Sequence, residues 1–299
     1  MTRTRRLRLP FPVDLRLTLA RIQRGPLDPT ARVGGDESTR ATRTPDGPAT
    51  MHLRAVADSI EVTAWGPGGD WTLEHAPELL GFDDDASDFQ PFHPVLRDAH
   101  RRLAGLRIGR TSAVVEALVP SILEQKVAGK EAWRSYAGLV HAVSEPAPGP
   151  LGLLLPPSPE RLGELPYHAF HRFGIERRRA VAMTRACGRA RRLEETTTMS
   201  AEEAHRRLTA FPGIGEWTAA EVATVALGDP DAVSVGDYHL PHVVSWALAG
   251  EPRGDDDRML ELLEPYRGHR GRVIRLIEAA GMWPPRFGPR QRLRSIAGM

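Results

Sequence analysis

The chain has 299 residues, 41 % of them apolar, which is enough for a sizeable core in about two domains and excludes a wholly disordered protein. No run approaches the roughly 18 apolar residues of a membrane-spanning helix, and no apolar leader follows the basic N-terminus, so no membrane partner and a cytoplasmic location are expected. The single cysteine, Cys187, excludes an internal disulfide, a Cys-type zinc site and a Cys-ligated iron–sulfur cluster, and reads as a small buried helix residue. Formal net charge is only +2, from 40 basic and 38 acidic residues, but it is segregated. Residues 1–9, 167–193 and 265–299 carry +4, +7 and +7, leaving −16 elsewhere. That division suggests a polyanion partner bound along one basic surface, with solvated helix faces as the plain alternative. Lys126 and Lys130 are the only lysines.

In chain order, residues 1–90 read as β-rich. RLRLP alternates like a strand, and residues 49–65 alternate as a hairpin across Ala57-Asp58-Ser59. Residues 13–25 fit either a strand or a short helix. Thr44-Pro45-Asp46-Gly47-Pro48 and Gly66-Pro67-Gly68-Gly69 carry turn chemistry. An acidic stretch from Asp83 to Gln90, then Pro91 and Pro94, marks a domain boundary. Beyond it the period is helical. Val115, Leu118, Val119, Ile122 and Leu123 share one face, with Pro120 expected to kink or restart that helix. A Pro/Gly-rich connector spans 145–157, Ser158-Pro159 opens a helix, residues 173–195 form a basic helical stretch, and Ser200 to Glu203 is a capping box. The C-terminal PPRFGPRQRLR reads as an ordered loop or a basic tail.

The most informative segment is 201–248. Two helical runs flank Phe211-Pro212-Gly213-Ile214-Gly215, a connector short enough to force a tight hairpin. Its glycines permit positive φ and close approach of a ligand to the backbone, and the following helix turns its free N–H groups toward an anion. A DNA phosphate suits such a site without base specificity. A turn-rich segment then leads through Val233 to Gly236-Asp237-Tyr238.

FPGIGEWTA followed by VSVGD resembles the HhH-GPD superfamily of base-excision DNA glycosylases, most nearly the bacterial DNA-3-methyladenine glycosylase II branch. LVPSILEQKVAGKEA (118–132) is similar to that family's ILGQQ-type helix, and Gly174 with Arg179-Ala180 matches a further family helix. The resemblance implies an α+β chain. An antiparallel β-rich N-terminal domain (1–92) precedes an all-α, two-lobed helix–hairpin–helix glycosylase domain (93–299), with the hairpin unit at 203–227. It implies that Asp237 is the catalytic carboxylate, stabilising oxocarbenium character on the sugar of a flipped nucleotide; taken alone, such an aspartate is usually a helix N-cap. Bifunctional members carry a Schiff-base lysine where this chain has Trp217, so the resemblance implies hydrolysis without lyase chemistry.

Trp217, Tyr238 and Glu221 are the expected base-pocket residues, Glu221 standing where the family has an aromatic and favouring cationic bases. Arg275 replaces another pocket aromatic. Gly213, Ile214, Gly215 and Thr218 are the expected DNA-binding hairpin residues, and Gln125 and Lys126 the expected gap-filling pair. His239 and His242 stand at i and i+3, but without a third ligand they read as packing or DNA contacts, so no metal is expected. No cofactor is implied, although a monovalent cation on the hairpin carbonyls is compatible with the motif. The implied function is a monofunctional glycosylase that excises alkylated purines from duplex DNA containing a damaged base, as a monomer associated with the nucleoid. Two alternatives stay open: a glycosylase for another lesion, and a catalytically silent helix–hairpin–helix DNA-binding protein. The carboxylate at Asp237 separates the last from the others.

Overall fold

The computed structural model describes residues 2–285, so the C-terminal stretch from residue 286, expected as a loop or basic tail, lies outside the described residues. The chain begins with β1 (Thr2–Arg8), α1 (Leu15–Leu19), β2 (Ala31–Val33), β3 (Glu37–Thr44), β4 (Gly47–Val56), β5 (Ser59–Trp65) and α2 (Gly69–Leu79). The strands form one antiparallel sheet in the order β1-β5-β4-β3-β2. The expected hairpin joins β4 to β5, pairing Val56 with Ser59 across a turn in which Ala57 takes φ +54°. The ambiguous segment 13–25 resolves as the helix α1, because the Asp14 side chain accepts the Leu17 N–H and caps it. Leu7, Met51, Leu53, Ile60 and Val62 of the sheet pack on Leu15, Leu19, Ala76 and Leu79 of the two helices, closing the first core.

Helices α3 (Pro94–Arg102), α4 (Val114–Glu124), α5 (Gly129–Val143), α6 (Pro159–Glu164), α7 (Arg177–Cys187), α8 (Ala190–Glu194), α9 (Ala201–Thr209), α10 (Glu216–Val222), α11 (Leu240–Ala249), α12 (Asp256–Leu263) and α13 (Arg270–Ala279) follow. They divide into two lobes with separate cores. One gathers α4, α5, α7 and α10 around Leu118, Ile122, Leu139 and Phe170. The other gathers α3 and α11 to α13 around Leu96, Val244, Leu263 and Val273. The architecture is therefore α+β, an antiparallel β unit followed by a two-lobed helical unit.

Pro120 neither ends nor restarts α4, which continues through it and is buried at every position from Val114 to Leu123 except Glu116. The basic helical stretch 173–195 holds two helices: α7 ends at Cys187, capped by Gly188, and α8 begins at Ala190. The acidic stretch 83–90 is pinned to the second helical lobe. Phe89 enters its core, Asp88 meets His269, and Asp84 accepts from Arg272 Nη1 at 3.0 Å and from the Ile108 N–H at 3.0 Å.

The Asp84–Arg272 pair is almost fully enclosed, its side chains 2 % and 3 % exposed. Removing one member of such a pair strands a buried charge, at a cost of about 3–5 kcal/mol. Arg272→Met is expected to lower the unfolding free energy by about that amount, and a urea midpoint equal to wild type would show the pair to be unimportant. Cys187 is buried in the first lobe, and burial, with Glu160 nearby, pushes its thiol up to about 12. It is expected to stay silent toward a thiol-specific reagent at pH 8 in the native protein and to react on denaturation.

Candidate active site

The hairpin between α9 and α10 is built from short-range chemistry. The Ser200 hydroxyl and Glu203 carboxylate form the expected capping box that starts α9. Gly213 turns the chain at φ +95° and lies so close to α7 that a Cβ there would stand 2.7 Å from the Ala182 Cβ. Gly215 is extended, and a Cβ added there would meet nothing within 4 Å, so its open side faces outward. The Ile214 N–H donates to the Phe211 carbonyl at 3.0 Å, while the N–H groups of Gly213 and Gly215 meet no acceptor among the described residues. Two outward N–H groups ahead of a helix start suit an anion.

Asp237 lies in the turn before α11, where the two helical lobes meet. Its Oδ1 accepts the N–H groups of His239 at 2.7 Å and Leu240 at 2.8 Å, which caps α11. Its Oδ2 accepts from the indole Nε1 of Trp217 at 2.9 Å. One oxygen of Asp237 therefore caps a helix, as the N-cap reading expects, and the other faces the aromatic at the start of α10. The carboxylate is oriented by three donors from two lobes. Tyr238, beside it, is 78 % exposed and rests edge-on against His239 and His242.

Glu221 stands one turn beyond Trp217 on α10, but it is not a free carboxylate in a pocket. Its Oε1 accepts from the Ser234 hydroxyl at 2.6 Å and its Oε2 from Arg21 Nη1 at 2.8 Å. Arg21, from the N-terminal unit, also donates to Glu278 at 3.2 Å, and Glu278 accepts from Arg275 at 3.2 Å. Arg275 in turn donates to the Leu17 carbonyl. The two departures from the family pattern, Glu221 and Arg275, thus belong to one buried cluster of two cations and two anions. An attraction of Glu221 for cationic bases is corrected accordingly, since Arg21 already neutralises it.

The gap-filling expectation also changes. Gln125 Nε2 donates to the Gly213 carbonyl at 2.9 Å and to Thr218 Oγ1 at 2.9 Å, so this side chain fastens the α4–α5 turn to the hairpin. Thr218, expected on the DNA-facing side, is buried under that bond. Lys126 is exposed at the tip of the same turn, held at φ +57°, a left-handed conformation uncommon for a lysine. Among the hairpin carbonyls, that of Gly213 accepts from Gln125 and that of Phe211 from the Ile214 N–H. His242 Nδ1 accepts from the Gly254 N–H, and no group of three metal-binding side chains occurs among the described residues. Sequence reading missed Arg21, Ser234 and the fastening role of Gln125; their partners lie 200, 13 and 88 residues away, so no local pattern marks them.

No family model matches the chain. The probable bifunctional transcriptional activator/DNA repair enzyme AlkA of Mycobacterium tuberculosis is 33 % identical over 166 residues, which are 54 % of this chain and 31 % of that protein. The chain thus spans under a third of the length of the curated relatives it matches. Among solved structures, a 3-methyladenine DNA-glycosylase from Archaeoglobus fulgidus superimposes with a TM-score of 0.78 at 21 % identity, covering 93 % of this chain and 98 % of that one. The Clostridium acetobutylicum 8-oxoguanine glycosylase/lyase in complex with double-stranded DNA gives 0.60 at 14 % identity, covering 83 % and 96 %. The chain has the fold of the helix–hairpin–helix DNA glycosylases. Within that class it resembles AlkA, the DNA-3-methyladenine glycosylase II type.

Burial pushes the Glu278 carboxyl up, but Arg21 and Arg275 outweigh it and hold the group below the ordinary glutamate range. Its contribution to stability is therefore present above that range and is lost as the pH falls through it. Glu278→Gln is expected to cost about 2 kcal/mol at neutral pH, with the gap to wild type closing below pH of about 4. Urea midpoints across that range check this, and a gap independent of pH overturns it.

Proposed function

We propose that the protein is a monofunctional DNA glycosylase that excises alkylated purines from duplex DNA by hydrolysing the N-glycosidic bond. The observation that carries this reading is Asp237 itself, a carboxylate oriented by Trp217 and by α11 at the lobe junction, close in sequence to an anion-ready hairpin. The hairpin N–H groups hold a backbone phosphate, and the damaged nucleotide leaves the stack toward Asp237. As the bond from C1′ to the base lengthens, its electron pair leaves with the base and positive charge grows on the sugar. A fixed anion close by stabilises that charge. Water then supplies the oxygen that bonds to C1′ and releases its proton. An alkylated purine already carries positive charge and departs as a neutral base, which lowers the need for an acid.

Trp217 bears no amine, so this position cannot form the imine that lyase chemistry requires. Lys126 supports a second reading, because Gln125 draws the α4–α5 turn against the hairpin and brings that lysine toward the site in space, although it is remote in sequence. The proposed setting is the cytoplasm, on nucleoid DNA, with one protein molecule per lesion.

Incubation with methylated duplex DNA tests the proposal. Wild type is expected to release methylated purines without nicking the strand. Asp237→Asn is expected to slow release by about a hundredfold or more while retaining duplex binding. Binding without release of any base favours a silent DNA-binding protein, and release confined to deaminated or oxidised bases favours another lesion. Strand cleavage, with borohydride trapping lost in Lys126→Met, favours the lyase reading.

A further inference from the structure

The three basic windows of the sequence do not share one surface role. In the first, Arg3 pairs with Asp70, Arg5 donates to the Leu73 carbonyl, Arg6 to the Ser59 hydroxyl, and Arg8 faces Asp58. In the described part of the third, Arg267, Arg270, Arg272 and Arg275 are each paired with a carboxylate. The middle window differs. Here α7, α8 and α9 surround a groove of about 920 Å³ whose lining includes Arg185, Arg189, Arg192, Arg206 and Arg207. Arg207 is paired with Glu195, and the Glu203 carboxylate at the groove is engaged by Ser200. Arg185, Arg189, Arg192 and Arg206 are exposed and form no salt bridge among the described residues, although Glu203 lies close enough to Arg206 to be stabilised by its charge.

We propose that this groove is a second DNA-backbone site, which takes the phosphates of the duplex flanking the one held by the hairpin. Four like charges around a concavity repel one another, and an anionic ligand relieves that cost. Continuity with the hairpin selects the ligand. Phe211 and Pro212 form part of the groove wall, and the next residue, Gly213, begins the outward N–H groups. Gly213 also rests on Ala182, and Arg185 follows Ala182 by three residues, close to one turn of α7. A strand with one phosphate on the hairpin therefore has its neighbours, spaced about 3.4 Å apart along the axis, in reach of the groove. The guanidinium fork suits phosphate oxygens and reads no bases, so the contact lengthens the footprint without adding sequence preference.

This assignment rests on the reading of the hairpin as a duplex-binding element, and its test does not depend on excision. The variant Arg185→Gln/Arg189→Gln/Arg192→Gln/Arg206→Gln changes only exposed side chains; a second variant with lysine at the same four positions keeps the charge. Binding of undamaged duplexes of about 10 and 30 base pairs is measured against salt concentration. For the long duplex, the glutamine variant is expected to bind at least about tenfold more weakly, with the slope of log K against log salt reduced by about 3–4. The lysine variant is expected to restore the slope, and the short duplex to change little. Single-turnover excision at saturating enzyme is expected to match wild type. Loss of affinity with no excision by any protein leaves the groove standing and removes the glycosylase reading. Equal affinity and slope for the glutamine variant and wild type overturn the groove. A long-duplex affinity that falls only for the glutamine variant while inorganic tripolyphosphate binds wild type as tightly as DNA also overturns it, in favour of a small polyphosphate site.

Discussion

Arg21 is the side chain that bonds to both helical lobes from the N-terminal unit. It leaves the N-terminal unit and donates to Glu221 on α10, in the first helical lobe, and to Glu278 on α13, in the second. Two carboxylates on separate lobes repel each other unless a cation lies between them. A single guanidinium with several planar donors can serve both at once. Burial opposes its charge, yet the two glutamates outweigh that and raise its pKa. Arg275 completes the balance from α13 and is itself held by the Leu17 carbonyl. Isolated buried ion pairs give little net stability because desolvation offsets attraction. What the cluster supplies is geometry: each carboxylate has one arrangement that satisfies it, and that arrangement fixes the lobes relative to each other.

The same cluster reaches Asp237 by a short path. Glu221 also accepts from the Ser234 hydroxyl, and Ser234 begins the turn that presents Asp237. The Ser234 carbonyl accepts the Asp237 N–H, and the Gly236 N–H donates to Asp256. Trp217, one turn before Glu221 on the same helix, donates to the Asp237 carboxylate. The helix α10 thus grips the turn twice, through Trp217 and through Glu221. In the role proposed for Asp237 such support matters, because a small misplacement of a catalytic group is costly in rate. Where the family pattern has aromatics at two positions, this chain has two charged residues whose partners lie within the protein.

How much of this was legible in the sequence follows from range. The hairpin, the Ser200 capping box, the Asp14 cap and the turn at Ala57 all depend on groups within a few residues, and short patterns mark them. Strand β3 shows the opposite case. Its sequence, ESTRATRT, has no apolar alternation, because Arg40 and Thr42 are buried by bonding Glu116 of α4. Helix α2 was hidden behind the Pro/Gly turn that precedes it, in a unit whose sequence reads mostly as strands. Asp237 and Trp217 were named individually from the motif, but the bond between them joins residues 20 apart across two lobes. Glu221, Gln125 and Thr218 were placed by position in the motif, and each proved to be held by a partner that position alone does not reveal.

Charge segregation is the clearest instance of a sequence quantity whose meaning changes with structure. Counted along the chain, the third window carries as much charge as the middle one, +7, and the shorter first window carries +4. Counted by partners, most of their described arginines are occupied: Arg272 is enclosed with Asp84, Arg275 lies in the Arg21 cluster, and Arg3 serves Asp70. A guanidinium that already holds a carboxylate neutralises an internal anion before it can meet a phosphate. Long-range attraction for a polyanion therefore originates where cations remain unpaired, which is around α7, α8 and α9 beside the hairpin. Part of the −16 carried by the remaining sequence meets arginines of the first and third windows, through Asp58, Asp70, Asp84, Asp231 and Glu264. A net charge of +2 coexists with a locally basic surface because the acidic excess that offsets it lies elsewhere in the chain.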